Sequence, residues 1–492
     1  MSRSDRILVG LLWGVAALGV LSQDWSTGMD LWEWGAALRE AARDPLHPAH
    51  PLLKADGHLS SRFTPQVIAA GCLCKATGLA PLTWLVIQGL AVALLLPWGI
   101  IVFCRRRWPE PDQGRYAVLA AFFLWGLGWQ WSGELAWITV SQTWNYPVTL
   151  GFTLMVWALA AGTRWLAGEG GRWGVRAWLG LLAAVTTHPE TGAVASLLMV
   201  LLCVEPWRPG KVLPVVLGVL AAWALAFAWP WYSLKGTIFH GVEPGWIDRN
   251  SNFYNWHLMN LGPGLLGLAA AFRFARDRKE PFLVASVVCL SGVYALAGLQ
   301  HGELGRMLFH LIFVLHLCAA RQLRAWGVLD PGLLRKRVLR GQVFHVGMAF
   351  LVAWAFAAGW HLKKASAGPV AILTGRQARP QDRYAFLAGK IGPEDVVAAD
   401  PETGWPLAAL TGARAVALFH VHPLQRDQAA RAVALKAFLD PATSDEARSE
   451  IAGTYGITAV LLRDGIDPPT GRFGEVVAAG GGLSLVRRTP RP

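Results

Sequence analysis

Apolar residues recur along positions 7–362 in runs long enough to cross the roughly 30 Å hydrocarbon core of a bilayer. The runs lie near 7–22, 82–103, 115–131, 145–163, 174–188, 191–204, 212–231, 258–274, 281–299, 306–320 and 342–362. About eleven transmembrane helices are therefore expected. Some are short or interrupted by Gly and Pro, notably around Thr186-Thr187-His188-Pro189-Glu190-Thr191-Gly192. Composition points to the same class. A soluble domain carries about 25% charged residues, whereas here 16% of 492 residues are charged and 54% are apolar. Arg3 and Arg6 precede the first run, but no small-residue cleavage pattern follows it, so it reads as an uncleaved first helix. The six cysteines lie in or beside apolar runs, and only Cys72 and Cys74 are close together. That fits small core residues better than a disulfide framework or a metal cluster.

Basic residues give an independent reading of orientation, because short cytoplasmic loops accumulate Lys and Arg. Arg105, Arg106, Arg107 and Arg115 share one connection, Arg172 and Arg176 another, Arg208 and Lys211 a third, and Arg276, Arg278 and Lys279 a fourth. Arg321, Arg324, Arg335, Lys336, Arg337 and Arg340 make the fifth. These are alternate loops, and the loops between them are nearly free of basic charge. The N-terminus is therefore expected inside and, with an odd helix count, the C-terminus outside. The net charge of +13 then reflects topology and contact with membrane lipids. No basic stripe with interleaved aromatics argues for nucleic acid.

Beyond Lys363 the long apolar runs give way to short ones at 395–400, 413–417, 457–462 and 483–486, each of strand length and flanked by turn residues. Helical periodicity appears at 381–390 and 425–453. The expected organisation is a membrane all-α bundle over residues 1–365, followed by a small extracytoplasmic α/β domain over 366–492.

The first external loop, Gln23 to Trp34, carries three acids within ten positions, Asp24, Asp30 and Glu33, interleaved with tryptophans such as Trp34. Acids at a membrane surface are costly and usually have a reason. Leu31, Trp34, Leu38 and Ala41 recur at helical spacing, with Asp30, Glu33, Glu40 and Arg43 on other faces, as in an amphipathic helix of about 30–43 lying in the interface. Thr27-Gly28-Met29-Asp30 also fits a capping box, which orients Asp30 without any catalytic role. The Pro/His segment from Asp44 to His58 matches no metal-ligand spacing and reads as a structural loop.

Other polar residues fall at the outer ends of spans. Glu134, His188 and Glu190 could each face a cavity open to the outside; the alternative is simple interfacial exposure for Glu134 and Glu190, and a helix-terminating role beside Pro189 for His188. The loop 232–257 holds Lys235, His240, Glu243 and Trp246 among further aromatics, a mixture suited to a sugar ring but also to an interfacial aromatic belt. Glu303-Leu304-Gly305-Arg306 sets an arginine at the mouth of the tenth span. It suits a phosphate clamp, a side chain snorkelling to the interface, or an i,i+3 ion pair with Glu303.

An acid on a helix just after the first span, many further spans and an external α/β domain together resemble the GT-C superfamily of integral-membrane glycosyltransferases. Met29-Asp30-Leu31-Trp32-Glu33-Trp34-Gly35-Ala36-Ala37, followed by Pro45-Leu46-His47-Pro48, is similar to the pattern of polyprenyl-phosphate-sugar mannosyl- and arabinosyltransferases. The resemblance implies an inverting enzyme, with Asp30 as general base. It also implies Arg306 near the lipid phosphate, Lys235 or His240 as secondary donors, and Asp24, Glu33 and Glu134 as reserve acids. The implied partners are a polyprenyl-phosphate-sugar donor and a glycan, lipid or protein acceptor on the outer face of the plasma membrane. The acid pair of several branches is absent because Leu31 follows Asp30, and a divalent metal requirement stays open. A flippase or transporter of lipid-linked glycans and a non-catalytic envelope scaffold are the rival readings.

Overall fold

A computed structural model describes residues 2–24, 30–54, 60–126, 134–204, 209–239, 261–298, 304–327, 342–419, 424–464 and 474–488. In chain order the helices are α1 (Arg3–Ser22), α2 (Asp30–Arg43), α3 (Pro65–Thr77), α4 (Pro81–Arg107), α5 (Gln113–Phe123), α6 (Trp137–Thr143) and α7 (Pro147–Leu166). They continue with α8 (Gly171–Thr187), α9 (Pro189–Leu201), α10 (Pro209–Phe227), α11 (Leu234–Phe239), α12 (Leu265–Arg276), α13 (Pro281–Val293), α14 (Met307–Trp326) and α15 (Gln342–Leu373). Beyond Leu373 come a 3-10 helix (Pro380–Leu387), two single-turn helices (Pro401–Gly404 and Leu407–Thr411) and strands β1 (Val396–Ala398), β2 (Arg414–Ala415), β3 (Ala459–Arg463), β4 (Gly474–Gly480) and β5 (Leu483–Arg488), with helices α16 (Gln428–Leu439) and α17 (Asp445–Tyr455) between β2 and β3.

The chain divides into two compact units, one of Met1–Ser22, Gln88–Ala228 and Pro244–Leu373, the other of Gln23–Ile87, Trp229–Glu243 and Thr374–Pro492. Three separated segments thus build the second unit, where the sequence led us to expect one boundary near residue 365.

The first unit is helical. Four helices among the described residues are long and apolar enough to cross a membrane: α1, α4, α10 and α14. The pair α6 and α7 qualifies together but is bent by 106°. Helices occupy the other expected segments too, several of them shorter than a full crossing. Burial patterns fit a lipid surround. Val9, Leu12, Ala16 and Val20 form the buried stripe of α1, while Ile7 and Leu11 on its other side are exposed. In α10, Leu213, Leu217 and Leu220 are likewise exposed. In water such surfaces would be a liability, and in hydrocarbon they cost nothing. Helix α5 stops at Phe123, short of the run expected to 131, and the indole of Trp354 donates to the Phe123 carbonyl at 3.0 Å. That bond replaces one that a longer helix would have made.

One end of this unit is tied by charge. Asp5 of α1, fully buried, meets Arg105 and Arg115. Arg321 of α14 meets Glu280 at 2.6 Å and Glu110 at 2.8 Å, and Arg324 meets Asp112 at 3.1 Å. Basic residues from loops expected to share a side therefore meet at one end of the bundle. Elsewhere α12 approaches α14 so closely that a Cβ on Gly267 would lie 2.0 Å from the Leu315 carbonyl oxygen. Only glycine fits there.

The second unit is built on a five-stranded sheet of order β2-β1-β3-β5-β4. Strands β2, β1 and β3 are parallel, while β5 is antiparallel to both β3 and β4. Alternation sends Val396, Ala398, Val460, Leu462 and Val486 to one core, and Val397, Ala399, Ala459, Leu461 and Leu485 to the other. The expected strands are found, and β4 is an additional one joined to β5 through Gly481 and Gly482, whose φ values of 61° and 75° make the turn. The helical region expected at 425–453 is two helices, broken at Asp440 and Pro441. The segment around Leu53 bridges to Ala415 of β2. There the buried His50 accepts two backbone N–H bonds through Nδ1, from Leu52 at 3.2 Å and Leu53 at 3.0 Å. This gives the Pro/His segment a structural role.

Candidate functional site

Chemistry-bearing residues gather in two places, one in each unit. In the second unit, Asp30 is the first residue of α2 and is partly exposed. A carboxylate there is stabilised by the helix dipole and held in orientation by the first turn. Three positions on, Glu33 is buried, accepting from Arg62 Nε at 2.8 Å and from Arg62 Nη2 at one oxygen, and from the Trp405 indole at 3.1 Å at the other. Arg62 also lies 4.8 Å over the Trp34 ring. Burial alone would lower the Arg62 pKa, but Glu33 and then Asp30 outweigh it and the guanidinium is held above its usual range. A fixed cation therefore stands within the field of both acids.

The rest of α2 is buried on more than the apolar face expected of an interfacial amphipathic helix. Ten of its residues, Glu33 and Glu40 included, are buried. Glu40 pairs with Arg414 at 2.8 Å, and Arg39 donates to the carbonyls of Ala409 at 2.8 Å and Leu410 at 3.1 Å. Glu33 and Glu40, expected on the polar faces of an interfacial helix, are neutralised by Arg62 and Arg414 inside the unit. Trp34 is buried under Arg62. Asp24 is partly exposed in the turn after α1, and Lys235 is exposed on α11.

In the first unit, α9 begins with His188 as its cap, followed by Pro189 and Glu190. The Thr191 backbone N–H donates to His188 Nδ1 at 3.3 Å, and the Thr191 hydroxyl lies 2.9 Å from the same nitrogen. A backbone N–H can only donate, so Nδ1 is the unprotonated nitrogen and the ring proton sits on Nε2. Nε2 faces Glu190 at 3.8 Å. The Thr191 oxygen in turn meets His310 Nε2 at 3.1 Å, and His310 stacks on Phe152 at 4.5 Å with an 8° interplanar angle. Gly151 leaves room, since a Cβ there would come 3.1 Å from that of His188.

Arg306 caps α14 and stands 3.7 Å from Glu190. That contact is an ion pair longer than the ~2.8 Å of a bidentate fork. A cation at a helix N-terminus opposes the dipole, and the first turn of α14 carries no acid. The position therefore favours an anion nearby. Glu190 supplies one, and a phosphate would fit the same field.

The structure thus brings His188, Glu190 and Arg306 together, on a buried support of Thr191 and His310 that the sequence did not single out. His310 is one helical turn from Arg306, the only signal that could have drawn attention to it. Arg62 was missed as well. Glu134 is buried rather than exposed and accepts from the Thr139 hydroxyl at 3.0 Å. His240, Trp246 and Glu303 lie outside the described residues.

No known family model and no curated protein matches this sequence. Solved structures do. ArnT from Cupriavidus metallidurans in the apo state is similar with a TM-score of 0.55 and 16% identity, over 93% of this chain and 94% of that one. The apo oligosaccharyltransferase of Archaeoglobus fulgidus gives 0.52 and 12%, over 94% and 70%. The arabinofuranosyltransferase AftD from mycobacteria gives 0.54 and 15% over 99% of this chain, which spans 42% of AftD. What is shared at such identities is the fold, that of GT-C glycosyltransferases.

Proposed function

We propose that this protein is an inverting membrane glycosyltransferase. In this reading it moves a sugar from a polyprenyl-phosphate carrier to an envelope glycan, lipid or protein acceptor on the extracytoplasmic face, with the N-terminus cytoplasmic. The observation that carries the reading is the likeness of fold to ArnT over nearly the full length of both chains. Two local features support it: a partly exposed carboxylate at the start of α2, and an arginine set against a helix dipole that favours an anion.

In the proposed step Asp30 takes the proton of an acceptor hydroxyl as its oxygen bonds to the anomeric carbon. The bond from that carbon to the phosphate oxygen breaks, and the electron pair leaves with the lipid phosphate. Phosphate is already a good leaving group, so the step needs charge stabilisation more than a general acid. Arg306 is assigned that task, with the Nε2–H of His188 as a neighbouring donor. Glu33 is tied by Arg62 and Trp405, and its part is to hold Arg62 in place.

The test is turnover of a panel of polyprenyl-phosphate sugars by purified protein, with and without EDTA to report whether a divalent ion takes part. Wild type should release lipid phosphate, and Asp30→Asn should lower the rate by about 10² to 10⁴-fold. Full activity in Asp30→Asn removes the base assignment. The bent pair of α6 and α7 is the one feature that favours the transporter reading. Movement of labelled lipid across a vesicle without any turnover would replace the present proposal with that one.

A further inference from the structure

Away from the acids and Arg306, four cations of the first unit gather around two indoles, and a fifth is tied to them through a shared acid. Arg164, near the end of α7, stands 3.4 Å from the Trp173 ring centre, Arg176 stands 4.5 Å from it and Arg172 5.7 Å. Lys211 of α10 lies 4.7 Å over Trp165. Trp165 rests on Gly174, where a Cβ would come 3.1 Å from the ring, so the two groups form one patch. The fifth cation is Arg106. It shares Glu169 with Arg164, at 3.5 and 2.6 Å. Glu169 is the acid of this group among the described residues.

The helix ends add to the imbalance. Helix α8 follows Gly170, which gives it no side-chain cap, and its first turn holds no acid. Helix α10 opens on Pro209, Gly210 and Lys211, again without an acid in the first turn. Helix N-termini carry partial positive charge and are normally matched with acids. Here Arg172 and Lys211 occupy those turns, an arrangement that is repulsive until an anion arrives.

What lies along the helices from this patch fixes the kind of anion. Arg172, Val175, Arg176 and Leu179 share one face of α8 at i, i+3, i+4 and i+7 spacing, and Val175 and Leu179 are at least half exposed. The exposed Leu213, Leu217 and Leu220 run along α10, which is fastened to α8 by the Trp178 indole bonding the Gly218 carbonyl at 3.0 Å. A soluble phosphate would use only the cations. We propose that the patch is a binding site for an anionic phospholipid, its phosphate among Arg172, Arg176 and Lys211 and its acyl chains along the apolar faces of α8 and α10. Occupancy of the site is independent of the proposed transfer reaction.

Native mass spectrometry of the full chain in detergent tests this, using phosphatidylglycerol, phosphatidylcholine of the same acyl chains, and glycerol 3-phosphate as probes. Phosphatidylglycerol is expected to bind more than about tenfold tighter than phosphatidylcholine, and to weaken as ionic strength rises. Each cation removed should cost roughly fivefold, so Arg172→Ala/Arg176→Ala/Lys211→Ala should weaken the anionic lipid on the order of 100-fold. Arg276→Ala/Lys279→Ala, at other helix ends, should leave it unchanged. Equal binding of the two lipids, equal binding of glycerol 3-phosphate, or an equal loss in the control variant would overturn the site. Should the triple variant not fold, Arg172→Gln alone is expected to lose about fivefold, and its retention of full binding would likewise overturn the proposal.

Discussion

Arg62 and Glu33 lie 29 positions apart and make a buried charge pair whose second carboxylate oxygen is taken by Trp405, 372 positions further along. Removing one partner strands the other. Arg62→Ala is expected to cost about 3 to 5 kcal/mol, because Glu33 would remain buried and uncompensated. Arg62→Met with Glu33→Leu should recover much of that loss, and thermal unfolding of the two variants measures the difference. Thr191→Val removes the hydroxyl shared by His188 and His310 while leaving the backbone N–H in place, so about 1 to 3 kcal/mol of stability should be lost. At this scale the sequence was legible for residue types and blind to partners. Glu33 looked like a reserve acid because nothing near it in the chain announces Arg62 or Trp405. Arg306 was recognisable by its position at a span end, whereas His310 lay inside an apolar run and drew no notice.

At the scale of elements, hydrophobic periodicity located nearly all the helices and missed where some of them end. The run to 131 is apolar enough to continue, yet α5 stops at Phe123, where a distant tryptophan takes the carbonyl. Strand β4 escaped notice because Gly474, Ala478, Ala479 and Gly480 dilute its β-branched content, and it lies at the sheet edge, where burial patterning is weak. Helices α2 and α3 meet at Gly71, whose Cβ would lie 2.6 Å from the Ala41 backbone. Gly71→Val should therefore push the pair apart at a cost of about 1 to 3 kcal/mol, seen as a lower unfolding temperature. The C-terminal ends of the paired strands β1 and β3, where Asp400 meets Arg463, predict a pH effect. Burial would raise the Asp400 pKa, but Thr403 and Arg463, which bonds it at 2.7 Å, hold it below the usual carboxylate range. Its folded pKa lies below the unfolded one of ~3.9, so its contribution to stability is present above about pH 4 and lost as pH falls through the folded value. Asp400→Asn should flatten the decline in unfolding temperature as pH falls below about 4, and an unchanged slope would count against the linkage.

The whole molecule is where the sequence was least legible. A change of composition near residue 365 marks a domain boundary in the linear chain, but composition cannot show that residues 23–87 join the last 119 residues in one unit. The reason is visible in α2, whose Arg39 and Glu40 find their partners at Ala409, Leu410 and Arg414. Truncation after Leu373 should thus damage the segment 23–87 as well as remove the sheet. Limited proteolysis of the truncated protein is expected to cut within 23–87 at sites that full-length protein protects.

That intertwined unit also has a consequence in time. Arg39 emerges from the ribosome 370 residues before the Ala409 carbonyl that holds it. At ordinary elongation speeds this is a wait of about 20 to 75 s. Throughout that interval the helix carrying Asp30 lacks the C-terminal groups that fix its orientation. Newly made chains thus pass through a stage in which the apolar segments are synthesised while the carboxylate of Asp30 has no settled surroundings.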